Sequence, residues 1–204
     1  RAGEILEEWA SDSGGRCINA IIPHVFGEYG RPFYNSAVAT FCHQIAHGEE
    51  MQINPDGRLE LVHVQDLVEK LLALANDEAV SGGVRISGRP MGVTEVVDRL
   101  KGFYEIYMQR GELPDLADDF DRSLFNTLRG SIPHDQRLKS PVKHTDERGW
   151  LVETVRAGSG GQCFVSTTRP GITRGNHFHR RKVERFFVLK GKGRIQLRKL
   201  FTDE

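Results

Sequence analysis

The 204 residues lack most of the features that would place a chain in a class at once. Cysteine is scarce: Cys17, Cys42 and Cys163 are the only three, and no Cys-x-x-Cys pair occurs. An odd, scattered set excludes a complete disulfide framework and a zinc ribbon, and reads as reduced thiols that serve packing in a cytoplasmic setting. No apolar run approaches the roughly 20 residues that a membrane-spanning helix needs, and Arg1 to Ala10 has no signal-peptide core. Net charge is missing too, since 28 Lys and Arg balance 28 Asp and Glu. With that balance no overall field favours nucleic acid or an acidic membrane surface. Internal repeats and low-complexity tracts are absent. So is a Gly-x-x-Gly-x-x-Gly run before a helix, and these residues therefore offer no helix N-terminus prepared for a dinucleotide pyrophosphate.

What is present falls into two parts. Upstream of about residue 130, helical and strand-like segments alternate; downstream, short strands follow one another between glycine-rich turns. The order predicts α/β followed by all-β, with domains at 1–129 and 144–204 and a connector at 130–143 that holds two prolines, several charges and no apolar periodicity. Ile5, Leu6 and Trp9 share one face of a helix over Ala2 to Ala10, which has no N-cap before it. Cys17 to Ile22 reads as a parallel strand buried on both faces, and 23–35 as a loop. Ser36 caps a helix with Val38, Phe41, Cys42 and Ile45 on its inner face, ending at Gly48. A strand near Leu59 to Val64 leads into a helix with Leu67, Val68, Leu71 and Ala75 on one side, where Asp66 is a helix-start residue. Thr94 is expected to cap a later helix that carries Val97, Leu100, Tyr104 and Tyr107.

The most informative run reads Gly171, five residues, His177-Phe178-His179, four residues, Glu184, six residues, Gly191. On a strand His177 and His179 point to one face, and a turn followed by a strand from Glu184 to Leu189 returns a carboxylate to them. Two imidazoles and a carboxylate suit zinc with an open fourth position, or non-haem iron, manganese or nickel. The five spaced positions resemble the first metal motif of the cupins. A second cupin motif with another histidine is expected beyond Glu204. Phe186, Phe187 and Val188 read as barrel core and dimer contact, and Arg194 to Lys199 as an edge strand. His43, His47, His63, His134 and His144 show no ligand spacing and read as surface or packing residues.

Pro23-His24-Val25-Phe26-Gly27 and Leu61-Val62-His63-Val64-Gln65-Asp66-Leu67-Val68 resemble segments of the extended short-chain dehydrogenase/reductases that act on nucleotide sugars. The stretch Arg31-Pro32-Phe33-Tyr34-Asn35-Ser36-Ala37-Val38-Ala39-Thr40-Phe41-Cys42, with Asp146-Glu147-Arg148-Gly149 and the histidine run, resembles bifunctional enzymes of capsular polysaccharide synthesis. In that family an extended reductase domain precedes a C-terminal cupin. The resemblance implies the C-terminal half of a reductase domain joined to a partial cupin jelly roll, with the family's Tyr-x-x-x-Lys pair expected just before Arg1. It further implies NADPH as cofactor and a UDP-linked 4-keto-6-deoxy-N-acetyl sugar as substrate. A zinc cupin would epimerise C3, a reductase would reduce C4 on the way to UDP-N-acetyl-L-fucosamine, and the cupin would form a homodimer. By position in the motif, Pro23 and His24 would lie near the nicotinamide, Arg31 and Asn35 would line the sugar-nucleotide pocket, and His177, His179 and Glu184 would hold the metal. His24 stands where asparagine is common. The residues also allow a non-catalytic metal- or sugar-binding and dimerisation module, or a cupin 3-epimerase or ketoisomerase.

Overall fold

A computed structural model describes residues 2–158 and 160–199; Arg1 and the chain end at 200–204 lie outside the described residues. The backbone forms two compact units that divide between Thr167 and Thr168. The first unit opens with α1 (Ala2–Ser13), β1 (Ile18–Ile21) and β2 (His24–Phe26), then α2 (Ala37–His47), β3 (Arg58–His63) and α3 (Val64–Asn76). It continues through β4 (Gly82–Arg85), β5 (Arg89–Gly92), α4 (Val93–Tyr104), a π-helical turn at Glu105–Gln109 and α5 (Asp119–Ser131). A meander of β6 (Lys143–Asp146), β7 (Gly149–Ala157) and β8 (Gly161–Ser166) closes it. The chain is therefore mixed α/β upstream and all-strand from 143 to 166.

β1 and β4 pair in parallel, and β2 pairs in parallel with β3, which pairs antiparallel with β5. Cys17 to Ile22 does contain a parallel strand, yet β1 is not buried on both faces: Ile21 and Ile22 are 53% and 43% exposed. With β4 as its only partner among the described residues, nothing covers its second edge. The segment 23–35, expected as loop alone, supplies β2 because Val25 and Phe26 find a ladder on β3.

α2 matches its pattern closely. The Ser36 side chain accepts the Ala39 N–H at 3.3 Å, and Gly48, with φ 66°, ends the helix in the left-handed region where glycine carries no Cβ penalty. Val38, Phe41, Cys42 and Ile45 face a core completed by Phe26, Leu61, Val96, Val97, Leu100, Leu124, Phe125 and Leu128. Burial pushes the Cys42 thiol up to about 12, so this cysteine is an inert packing group. Cys163 is exposed, which removes it from that role, and Cys17 is half-buried. Thr94 is not the cap of α4; Gly92 occupies the N-cap position without a side-chain bond, and the Thr94 hydroxyl faces the Pro55 carbonyl at 3.5 Å. α5 runs through the first positions of the expected connector, held by the fully buried Leu124 and Leu128. The meander is tied to the helices by Leu113, whose N–H donates to Arg156 O at 2.8 Å while its carbonyl accepts from Gly158 N–H at 2.7 Å.

Residues 168–199 contain no strand and no closed barrel among the described residues. The strands expected at 177–179, Glu184 to Leu189 and Arg194 to Lys199 are therefore not formed. Alternation can orient side chains, but a strand exists only where a neighbour completes its ladder, and this segment has none. Phe186, Phe187 and Val188 accordingly stand 68%, 77% and 63% exposed and are not core. No described helix is long and apolar enough to cross a membrane.

Candidate functional site

Each unit contains a polar centre. In the first, the chain leaves the carboxyl end of β1 at Ile21 and meets Pro23 and His24; its parallel neighbour β4 ends at Arg85. The carboxyl ends of parallel strands are where open α/β sheets bind ligands, because connecting loops diverge there. His24 Nδ1 lies 3.2 Å from the carbonyl oxygen of Glu60 and 3.3 Å from its N–H, so the main chain of β3 fixes the ring in either tautomer. The Glu60 carboxylate accepts from Gly88 N–H at 2.9 Å and from the Arg85 guanidinium at 2.6 Å. Donation from Gly88, followed by the hydrogen bond and charge of Arg85, holds this carboxyl below its ordinary value. Glu60 and Arg85 were not among the residues singled out from sequence. Glu60 sits mid-strand, where a lone carboxylate reads as a solvated face, and Arg85 reaches it from 25 residues away. Beside them, Lys70, Asp77, Arg85 and Ser87 border a cleft of 390 Å³ that Ala73, Leu74, Val84 and Ile86 floor.

The loop after β2 carries Arg31 and Asn35. Both are exposed; the Arg31 guanidinium lies 5.3 Å over the Tyr34 ring, and Asn35 immediately precedes the Ser36 cap. No described hydrogen bond or ion pair joins either to the His24 group. The same loop begins at a second pair that sequence spacing did not nominate. His63, 8% exposed at the end of β3, faces Glu28 with Nε2 to Oε2 at 3.2 Å. Among the other histidines, His43 and His47 stack at 4.0 Å, and His43 lies 3.5 Å from Glu49.

In the second unit His177, His179 and Glu184 come together, each offering a ligand atom within 4.8 Å of the others. His179 Nε2 lies 3.4 Å from Glu184 Oε2. That matches the ~3.4 Å between neighbouring ligands of a tetrahedral ion bound at about 2.1 Å. Glu184 Oε1 accepts from Lys182 at 2.9 Å, and this bond is the main cause that holds the Glu184 carboxyl below its ordinary value. A borderline divalent ion fits this donor set and would find at least one open position.

Comparison with known proteins finds two segments in the same order. Residues 1–86 match the NAD dependent epimerase/dehydratase family, and residues 144–204 match the polysaccharide biosynthesis C-terminal domain. A UDP-2-acetamido-2,6-beta-L-arabino-hexul-4-ose reductase of Pseudomonas aeruginosa is 33% identical over 204 residues, covering 98% of this chain and 55% of the relative. The crystal structure of the capsular polysaccharide assembling protein CapF from Staphylococcus aureus superposes with a TM-score of 0.75 at 30% identity, covering 86% of this chain and 48% of that one. RMD from Pseudomonas aeruginosa, solved with NADPH, shares the fold at a TM-score of 0.52 and 16% identity, over 64% of this chain and 52% of that one. The chain thus spans about half the length of the relatives it matches. It is homologous to UDP-sugar reductases of the CapF type, and its α/β part has the Rossmann-like fold of the epimerase group.

Proposed function

We propose that this chain carries the substrate-side segment of a nicotinamide-dependent nucleotide-sugar reductase joined to the first part of a metal-dependent cupin. The divisions are those of the sequence, 1–129, 130–143 and 144–204, and the reaction belongs to capsular polysaccharide or O-antigen synthesis. The observation that carries the reading is the pairing of an epimerase-type segment with a later segment in which two imidazoles and a carboxylate converge within 4.8 Å.

The substrate is a UDP-linked 4-keto-6-deoxy-N-acetyl sugar. Its C3 proton is acidified by the adjacent ketone, and inversion at C3 requires that proton to leave and return on the other face. A divalent ion, zinc by preference, would supply a Lewis acid for the ketone oxygen. His177, His179 and Glu184 would hold it, with Lys182 donating to Glu184 Oε1. In the α/β unit Pro23 and His24 would lie near the nicotinamide of NADPH, which would supply the hydride for C4. Glu60 holds the His24 Nδ1 edge with its main chain, just past the carboxyl end of β1. Arg31 and Asn35 line the sugar-nucleotide pocket, the guanidinium offering a fork suited to phosphate oxygens. Dimerisation through the cupin segment completes the assembly.

Zinc loading tests the metal centre. Native mass spectrometry of the 204-residue chain should show about one zinc per chain, diminished in His177→Ala and in His179→Ala. Undiminished zinc in both variants removes these residues from the site.

A further inference from the structure

The overall charge balance is not a local one. Residues 168–199 carry eleven Lys and Arg against one carboxylate, Glu184, for a net charge of +10, whereas residues 1–167 carry 17 basic and 25 acidic side chains, for a net charge of −8. Every one of the eleven cations except Arg174 is exposed. Such a density of one sign is self-repulsive, and it creates a strong attractive potential for anions. Glu184 cannot neutralise it, being engaged by Lys182 and facing His179. One cation is held in place beside the metal candidates: Arg198 donates from its terminal guanidinium nitrogen to Asn176 Oδ1 at 3.2 Å. Asn176, in the left-handed region at φ 63°, directly precedes His177. The bond to Asn176 uses one of the five donors of the fork, and Arg198 is exposed.

We propose that this cationic surface holds the diphosphate of the nucleotide sugar, with Arg198 as the positioning residue that places it beside His177 and His179. A diphosphate answers the local charge at one point, and the guanidinium fork matches two phosphate oxygens at once, which a lone ammonium does not. The proposal rests on the nucleotide-sugar reading above and adds to it the group that is recognised and the residue that recognises it.

Hydrogen–deuterium exchange of the full 204-residue chain with UDP, and calorimetry with UDP and UMP, test it. UDP should protect peptides within 168–199 and bind more tightly than UMP. Arg198→Gln should weaken UDP about tenfold, the loss of one charge-assisted contact. It should also erase the preference over UMP, an effect that mere unfolding does not produce. Arg198→Lys should restore part of the affinity, and Asn176→Gly, which keeps the left-handed backbone, should lose part of it by releasing the fork. UDP protection confined to residues 1–167, or an unchanged UDP-to-UMP preference in Arg198→Gln, overturns the proposal. His177→Ala and His179→Ala separate the two readings: zinc should fall while UDP protection of 168–199 persists, and zinc that does not fall defeats the metal centre alone.

Discussion

Gly27, buried just after β2, decides how closely the loop of the first centre can approach α3. It does not need a left-handed backbone, so Gly27→Ala carries no conformational strain of that kind. The difficulty is space. A Cβ at residue 27 would lie 2.6 Å from Val64 Cγ1, 3.3 Å from Val64 Cβ and 3.6 Å from His63 Nε2. The first distance is far inside van der Waals contact, and Val64 begins α3 immediately after His63, so yielding at Val64 moves the partner of Glu28 as well. Overpacking of this kind costs about 1–3 kcal/mol. For a unit of this size that corresponds to a fall in Tm of about 2–12 °C. Val64 is half-buried, so Val64→Ala alone should cost only about 1 kcal/mol for its two methyl groups. The double variant Gly27→Ala/Val64→Ala should therefore lie well above the sum of the two losses, with a positive coupling in a double-mutant cycle measured by urea unfolding. If Gly27→Ala is equally destabilising whether residue 64 is Val or Ala, the clash is not the cause and the loop is not set by this contact.

Two further outcomes follow from the same centres. The carboxyls of Glu60 and Asp118 are held below their ordinary values of 4.5 and 3.8, Glu60 first by Gly88 N–H and Asp118 first by Asp121 N–H, each helped by an arginine. A lowered folded value means stability that is present above the unfolded value and lost as pH falls through the folded one, so the loss should appear below about pH 4.5 for Glu60 and below 3.8 for Asp118; urea midpoints across pH 2.5–7 should show a shallower acid limb in Glu60→Gln and Asp118→Asn, and limbs that match the wild type would discount both bonds. The 204-residue chain should not oxidise NADPH in the presence of a UDP-4-keto sugar, since it contains neither the glycine-rich pyrophosphate motif nor an assigned Tyr-x-x-x-Lys pair, and absorbance loss at the reduced-nicotinamide band would show that the catalytic residues have been placed wrongly.

What the sequence discloses depends on how local the cause is. α2 was legible from Ser36 to Gly48 because its cap, its apolar spacing and its stop residue all lie within the helix and its two flanking residues. α3 and α4 were legible from apolar spacing alone, since neither has a side-chain cap: His63 and Gly92 stand at their N-cap positions, and of the expected α3 face Leu67 is buried while Val68 and Ala75 are exposed. β4 and β5 were not legible. Gly82–Arg85 and Arg89–Gly92 are four residues each, with glycine or proline inside, and they are strands because β1 and β3 offer them ladders from tens of residues away.

The two polar centres divide along the same line. His177, His179 and Glu184 could be grouped from spacing alone, and they do converge, although the strands that justified the grouping are not formed in 168–199. The chain bends at residues 180 and 181, between His179 and Glu184, and the three donors meet there without a ladder. Glu60 and Arg85 lie 25 residues apart and His24 another 36 away from Glu60, and no pattern in any one segment could join them. In the β2–β3 ladder His24 stands opposite Leu61 and so beside the Glu60 main chain, while β5 pairs with β3 at Pro90 opposite Glu60 and the segment before it, from Arg85 to Gly88, reaches the Glu60 carboxylate. The charge distribution follows neither rule, since it is written plainly in the residues and vanishes only when summed: a balance of 28 against 28 conceals a segment at +10. An electrostatic field acts over about a Debye length, some 8–10 Å in physiological salt, so the charge that a ligand meets is that of its own neighbourhood and not that of the chain. For that reason the cationic surface around His177, and not the neutral total, is the quantity that bears on which substrate this protein selects.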